Sequence, residues 1–105
     1  MSEELVNTAM NIILHAGNAR THCMAALDAI AEDDYAKAET AMVEANTEIV
    51  EAHKLQTNAI QGEIRGETSE SSLLMTHAQD TLMTVYSEIN ITKKMIKVFK
   101  NHYEK

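Results

Sequence analysis

The stretch Leu5 to Ile30, LVNTAMNIILHAGNARTHCMAALDAI, decides the fold. Apolar residues recur in it at Leu5, Ala9, Ile12, Ala16, Ala19, Cys23, Ala26 and Ile30, in alternating steps of four and three. Such spacing keeps one face of a helix apolar, and no β-strand can hold it on one side. A second seam, Val6, Met10, Ile13, Met24 and Leu27, runs beside the first. Two adjacent seams make a wide apolar face, which predicts a helix with several neighbours. Ser2 is a suitable N-cap, and Glu3 and Glu4 suit the positive end of a helix. The pattern predicts a helix over about residues 3–31.

Working outward, Glu32-Asp33-Asp34 interrupts the pattern, and either aspartate can cap the next helix. That second helix is predicted over about 35–64, with Tyr35, Ala38, Met42, Ala45, Ile49, Ala52 and Ala59 on its seam. Asn46, His53 and Gln56 lie on or beside that seam. The polar run from Glu67 to Ser72 predicts one flexible connection, over 65–70. A third helix is predicted over about 71–102, with Met75, Ala78, Leu82, Val85, Ile89, Thr92, Ile96, Phe99 and Tyr103 on its seam. Lys93, Lys94, Lys97 and Lys100 crowd its last turns, where cations offset the helix dipole. Short connections make successive helices antiparallel. The expected fold class is therefore all-α, an up-down-up three-helix bundle forming a single domain over residues 1–105.

Composition narrows the function. The 105 residues include no Pro, three Gly and one Cys, so turns are scarce and no intrachain disulfide exists. A lone cysteine fits a reducing compartment. Aromatics are 4% and Met numbers seven, which predicts a thin core of small and flexible side chains. Such a core gains from burial against another subunit, so an oligomer is expected. The net charge of −7 argues against nucleic acid and against anionic membranes. Asn7, Asn11, His15 and Asn18 interrupt the longest uncharged stretch, so it cannot span a bilayer. The start Met1-Ser2-Glu3-Glu4 lacks the pattern of a signal peptide, and a soluble cytoplasmic protein is expected.

No Glu precedes any His by three residues, so the di-iron bundle signature is missing. His-Glu-x-x-His, Gly-rich phosphate loops and paired cysteines are missing too. Cys23 falls on a seam and reads as core. His102 reads as solvated and His22 as exposed or at the edge of the first helix. His15 and His53, with Asn18 and Gln56 nearby, read as interhelical hydrogen bonds. His77 differs from these four. It shares a helical stripe with Asp80, Thr81 and Thr84, between Leu73-Leu74-Met75 and Leu82-Met83. Two readings stand: a boundary histidine bonded to Asp80, or a nucleophilic or proton-handling imidazole shielded by apolar walls.

The segment His77-Ala78-Gln79-Asp80-Thr81-Leu82-Met83 resembles the phosphorylation motif of enzyme IIA in the lactose/cellobiose (chitobiose) branch of the bacterial sugar phosphotransferase system. Ile12 to Arg20 and Glu51 to Thr57 resemble that family as well, so the likeness covers essentially the whole chain. It implies a three-helix bundle assembled as a homotrimer. It implies a carrier that takes a phosphoryl group from phospho-HPr on His77 and passes it to a cysteine of enzyme IIB. The cargo implied is a β-linked disaccharide, and Gln79 and Thr81 take supporting roles. The family usually has a second histidine directly after the aspartate, where this chain has Thr81. Threonine can hydrogen-bond but cannot titrate.

A phosphohistidine survives longest where apolar side chains exclude water, and Leu73, Leu74, Met75, Leu82 and Met83 are the candidates. No Arg or Lys lies within ten residues of His77, so cationic help must come from a partner, from another helix through Arg20, or from helix ends. Three copies of Asp80 meeting on a threefold axis could not all stay ionised unpaired. The resemblance implies a metal there, and an all-oxygen site favours Mg²⁺, one ion per trimer. A rival from another class is a non-catalytic helical scaffold whose polar seam residues only set register.

Overall fold

The computed structural model describes residues 2–66 and 72–103. They form three helices: α1 (Glu3–Ala31), α2 (Tyr35–Ile64) and α3 (Leu73–Tyr103), with no strand among the described residues. Each start is fixed by a short polar side chain. The Ser2 hydroxyl accepts the Leu5 amide, and the Asp34 carboxylate accepts the Lys37 amide, both at 3.1 Å. The Ser72 hydroxyl accepts the Met75 amide at 3.0 Å, so α3 begins just after Ser72. Asp33 turns the chain between α1 and α2 at φ 60°, a conformation that aspartate tolerates. Arg65 and Gly66 close α2; the rest of the expected 65–70 connection lies outside the described residues.

Side-chain pairs give the helix directions. His15 and His22 of α1 meet Glu48 and Glu44 of α2, so α1 and α2 are antiparallel. Glu39 and His53 of α2 meet Lys100 and Tyr86 of α3, again antiparallel. Arg20 and Cys23 of α1 meet Glu88 and Thr92 of α3 in ascending order, so α1 and α3 run parallel. The architecture is up-down-up, as the short connections predict. The bundle measures 55 × 19 × 18 Å. Its 16.4 Å radius of gyration exceeds the roughly 13 Å of a compact chain this long.

The core follows the first α1 seam closely. Ala9, Ile12, Ala16, Ala19, Cys23 and Ala26 are buried against Ala38, Met42, Ala45, Ile49 and Ala52 of α2 and Ala78, Leu82, Val85 and Ile89 of α3. Alanine lets the helices approach closely, and a few large side chains fill what remains. Cys23 is core as expected, its thiol donating to the buried Thr92 hydroxyl at 3.1 Å. Two seam expectations fail. Phe99 and Tyr103 are exposed, because by the Arg20–Glu88 register α3 there reaches the end of α1 at Ala31 and passes it; the Tyr103 ring packs on Tyr35, 5.2 Å between centroids. The second α1 seam is only partly covered: Val6, Ile13 and Leu27 are half-buried, while Met10 and Met24 face outward. Three helices provide neighbours for one broad side of α1 and no more.

Candidate functional site

His77 stands one turn inside α3. The register of Arg20 with Glu88 places it level with Ala9, in the second turn of α1. Because α1 and α3 are parallel, both of their N-termini lie at the His77 end of the bundle. Each carries about half a positive charge on its unsatisfied amides, which on α1 is outweighed by Glu3 and Glu4 in the first turn. Helical side chains lean toward the N-terminus, so the His77 ring leans toward the first turn of α3. The positive end nearest the ring is that of α3, whose first turn carries no acidic residue. In the sequence it was signalled only by the polar run that ends at Ser72.

His77, Asp80 and Thr84 are exposed, and Gln79 and Thr81 are half-buried. The predicted polar stripe therefore exists and is accessible. Thr81 donates its hydroxyl to the His77 carbonyl at 2.8 Å, which ties down the backbone beneath the imidazole. Among the described residues no hydrogen bond joins the His77 ring to Asp80, so the reading of a boundary histidine held by that carboxylate is not met.

The expected apolar wall is not built around His77 by this chain. Leu82 lies about 140° around the helix and is fully buried in the core. Leu74 and Met75 pack against the core, and Met83 is half exposed. Leu73 shares the side of His77 but is 89% exposed.

Arg20 does not serve His77 either. Its guanidinium grips Glu88 through Nε at 2.9 Å and Nη2 at 3.3 Å, about three turns along α3 from the histidine. Hydrogen bonding to Glu88 raises Arg20 above its ordinary value, with burial opposing and charge attraction adding. The remaining histidines are interhelical or solvated. His15 Nδ1 meets Glu48 at 2.6 Å, with exposed Asn18 uninvolved. His22 Nδ1 meets Glu44 at 3.0 Å. His53 sets its ring edge-on to Tyr86 at 4.8 Å, an aromatic contact in place of the expected hydrogen bond. His102 is exposed, as expected. The motif from Ile12 to Arg20 thus supplies links from α1 to both neighbours.

Within one chain, no group of three or more His, Cys, Asp or Glu among the described residues can hold a metal. Asp80 offers one exposed carboxylate, on the side of α3 away from Leu82, Val85 and Ile89. An ion there would need carboxylates from further copies. Among the described residues no helix is long and apolar enough to cross a membrane.

The chain is thus an all-α bundle that displays a histidine on an accessible face of α3, one turn from the start of that helix. The chain belongs to the lactose/cellobiose-specific IIA subunits of the phosphotransferase system: the model of that family matches residues 7–100. It is 37% identical over 99 residues to the lichenan-specific phosphotransferase enzyme IIA component of Bacillus subtilis, covering 94% of this chain and 90% of that one. The crystal structure of the cellobiose-specific enzyme IIA of Bacillus anthracis superposes with a TM-score of 0.92 at 38% identity, covering 100% and 96% of the two chains. The IIA subunit in the solution structure of the IIA–HPr complex from the N,N'-diacetylchitobiose branch of Escherichia coli superposes with a TM-score of 0.83 at 30% identity, covering 97% and 99%. The chain is thus a phosphotransferase-system component with the fold of its family.

Proposed function

We propose that this protein is a cytoplasmic phosphohistidine carrier for uptake of a β-linked disaccharide. An imidazole nitrogen of His77 attacks the phosphorus of phospho-HPr, and the bond from phosphorus to the HPr histidine breaks. A cysteine thiolate of enzyme IIB then attacks the same phosphorus and frees His77. The observation that carries the reading is the accessible His77 ring, on a polar stripe one turn inside the N-terminus of α3. Phosphoryl transfer asks for positioning and charge stabilisation, and both features serve it. Thr81 supports the step by holding the His77 carbonyl, and Gln79 lies beside it on α3. The HPr complex of the chitobiose relative supports HPr as donor. These relatives serve lichenan, cellobiose and chitobiose branches, so the family does not fix the sugar.

The working form is a homotrimer. An outward stripe of α3 stays uncovered, with Leu73, Asp80, Ser87, Ile91 and Val98 spaced for a coiled coil. Packing that stripe on a threefold axis brings three Asp80 carboxylates together, and one hard divalent ion such as Mg²⁺ would offset two of their three charges. It would also bring neighbouring chains toward His77, whose own chain leaves it open.

The test is mass spectrometry at alkaline pH after incubation with phosphoenolpyruvate, enzyme I and HPr. The native chain gains one acid-labile phosphoryl group, and folded His77→Gln gains none. A folded native chain that gains nothing would favour the scaffold reading. A His77→Gln chain that still gains the group would move the acceptor to another histidine.

A further inference from the structure

We propose that the Asp80 carboxylate poises the phosphoryl group of His77 for release, by repelling it from one turn away. The inference rests on the reading of His77 as phosphoryl acceptor and adds what sets the balance between its loaded and free forms. A carrier takes the group from one partner and gives it to the next. Neither its loaded nor its free form can therefore be strongly favoured.

Asp80 follows His77 by three residues on α3, which places their Cβ atoms about 5–6 Å apart on one side of the helix. Helical side chains lean toward the N-terminus, so the carboxylate leans toward the turn that holds His77. Both side chains are exposed, and neither takes part in a hydrogen bond or ion pair among the described residues. From Leu73 to Ser87, Asp80 is the sole Asp, Glu, Lys or Arg of α3. On α1, where Ala9 is level with His77, Glu3 and Glu4 lie more than a turn away and Arg20 is held by Glu88. α2 brings Glu63 and Arg65 to this end of the bundle, but on the other side of α3. Tyr86, which meets α2, is nine residues past His77 and so about half a turn round the helix from it.

A phosphoryl group on a side chain carries about two negative charges at pH 7. At about 6 Å in water, their repulsion by one carboxylate shifts an equilibrium by about three- to tenfold at low salt. The free amides at the start of α3 pull the other way. The helix end attracts the phosphoryl group, and Asp80 keeps that attraction from becoming a trap.

The test is the equilibrium constant for phosphoryl exchange between phospho-HPr and this protein, in metal-free buffer so that no cation offsets the carboxylate. The phosphorus–nitrogen bond in HPr breaks as the one at His77 forms. The constant thus compares the two phosphohistidines and is independent of how the proteins dock. Asp80→Asn removes the charge and keeps the shape. It moves the exchange about three- to tenfold toward phospho-His77 at low salt, and the difference fades in about 1 M salt. Asp80→Glu keeps the charge and stays near the native constant. Asp28→Asn removes an exposed carboxylate of α1 about 28 Å along the bundle by the same register, and it too stays near the native constant. Equal constants for the native chain and Asp80→Asn overturn the proposal. So does a shift of the same size in Asp80→Glu or Asp28→Asn, a shift toward phospho-HPr, or one undiminished by salt. A native chain that takes no phosphoryl group on His77 overturns the carrier reading as well.

Discussion

Arg20 shows at the scale of one residue how a fixed charge sets register. Its bidentate grip on Glu88 joins two parallel helices whose alanine-rich contact gives little register of its own. Both side chains are more than a third exposed, so solvent screening holds the pair to about 0.5–1 kcal/mol. Arg20→Ala should therefore lower the melting temperature by only a few degrees. The direction of the shift sets the pH dependence. A cation raised above its ordinary value contributes stability below that value and loses it only as pH climbs through the folded one. For a guanidinium both lie far above neutrality. The gap between native and Arg20→Ala melting temperatures should stay constant between about pH 6 and 9. A gap that closed across that range would show that another group controls the link. His77 makes the opposite case: its exposed ring leaves His77→Gln within about 0.5 kcal/mol of the native stability, so lost transfer would not be lost folding.

At the scale of one helix, α2 is the most dependent on a few large side chains. Between Ala38, Ala45 and Ala52 it places Met42 and Ile49 in the core, and Ile49 is almost fully buried. Alanines cannot move in to fill the space of a lost isoleucine. Ile49→Ala should cost about 2–5 kcal/mol, read from urea denaturation. Val43, on the outer face of α2 and 67% exposed, should cost within about 0.5 kcal/mol as Val43→Ala. Similar losses for both would mean that the outer face of α2 is covered in solution. The same helix shows the value of caps: Asp34 fixes where α2 begins, and Ser72 does so for α3 and hence for the depth of His77 within it.

For the whole molecule the decisive group is Asp80. On one chain it is a single exposed carboxylate with no metal-holding neighbours among the described residues. In a trimer it becomes one of three. Removing the charges then removes their repulsion, so Asp80→Leu should melt no lower than the native chain in metal-free buffer. Added Mg²⁺ should stabilise the native protein by mass action, by about 2.7 kcal/mol at a hundredfold excess over its dissociation constant, and leave Asp80→Leu unmoved. The measurement is the melting temperature of each protein with Mg²⁺ and with a chelator. Equal responses would show that Asp80 does not hold the ion, while leaving His77 as acceptor untouched.

The sequence by itself determined the helices, their order and most of the core, because each depends on local spacing. The seam from Ala9 to Ala26 names its own buried residues, and the short connections force neighbours to reverse. It also determined that His77, Asp80 and Thr81 share a side of α3, because a helix turns once every 3.6 residues. What it left open depends on which surfaces meet. Only the tertiary structure decided that Arg20 belongs to Glu88, that His15 belongs to Glu48, and that Leu82 is buried in the core instead of lining His77. The physical reason is that periodicity fixes a direction about one helix axis, whereas a partner is fixed by how three axes pack, and that depends on every buried side chain at once.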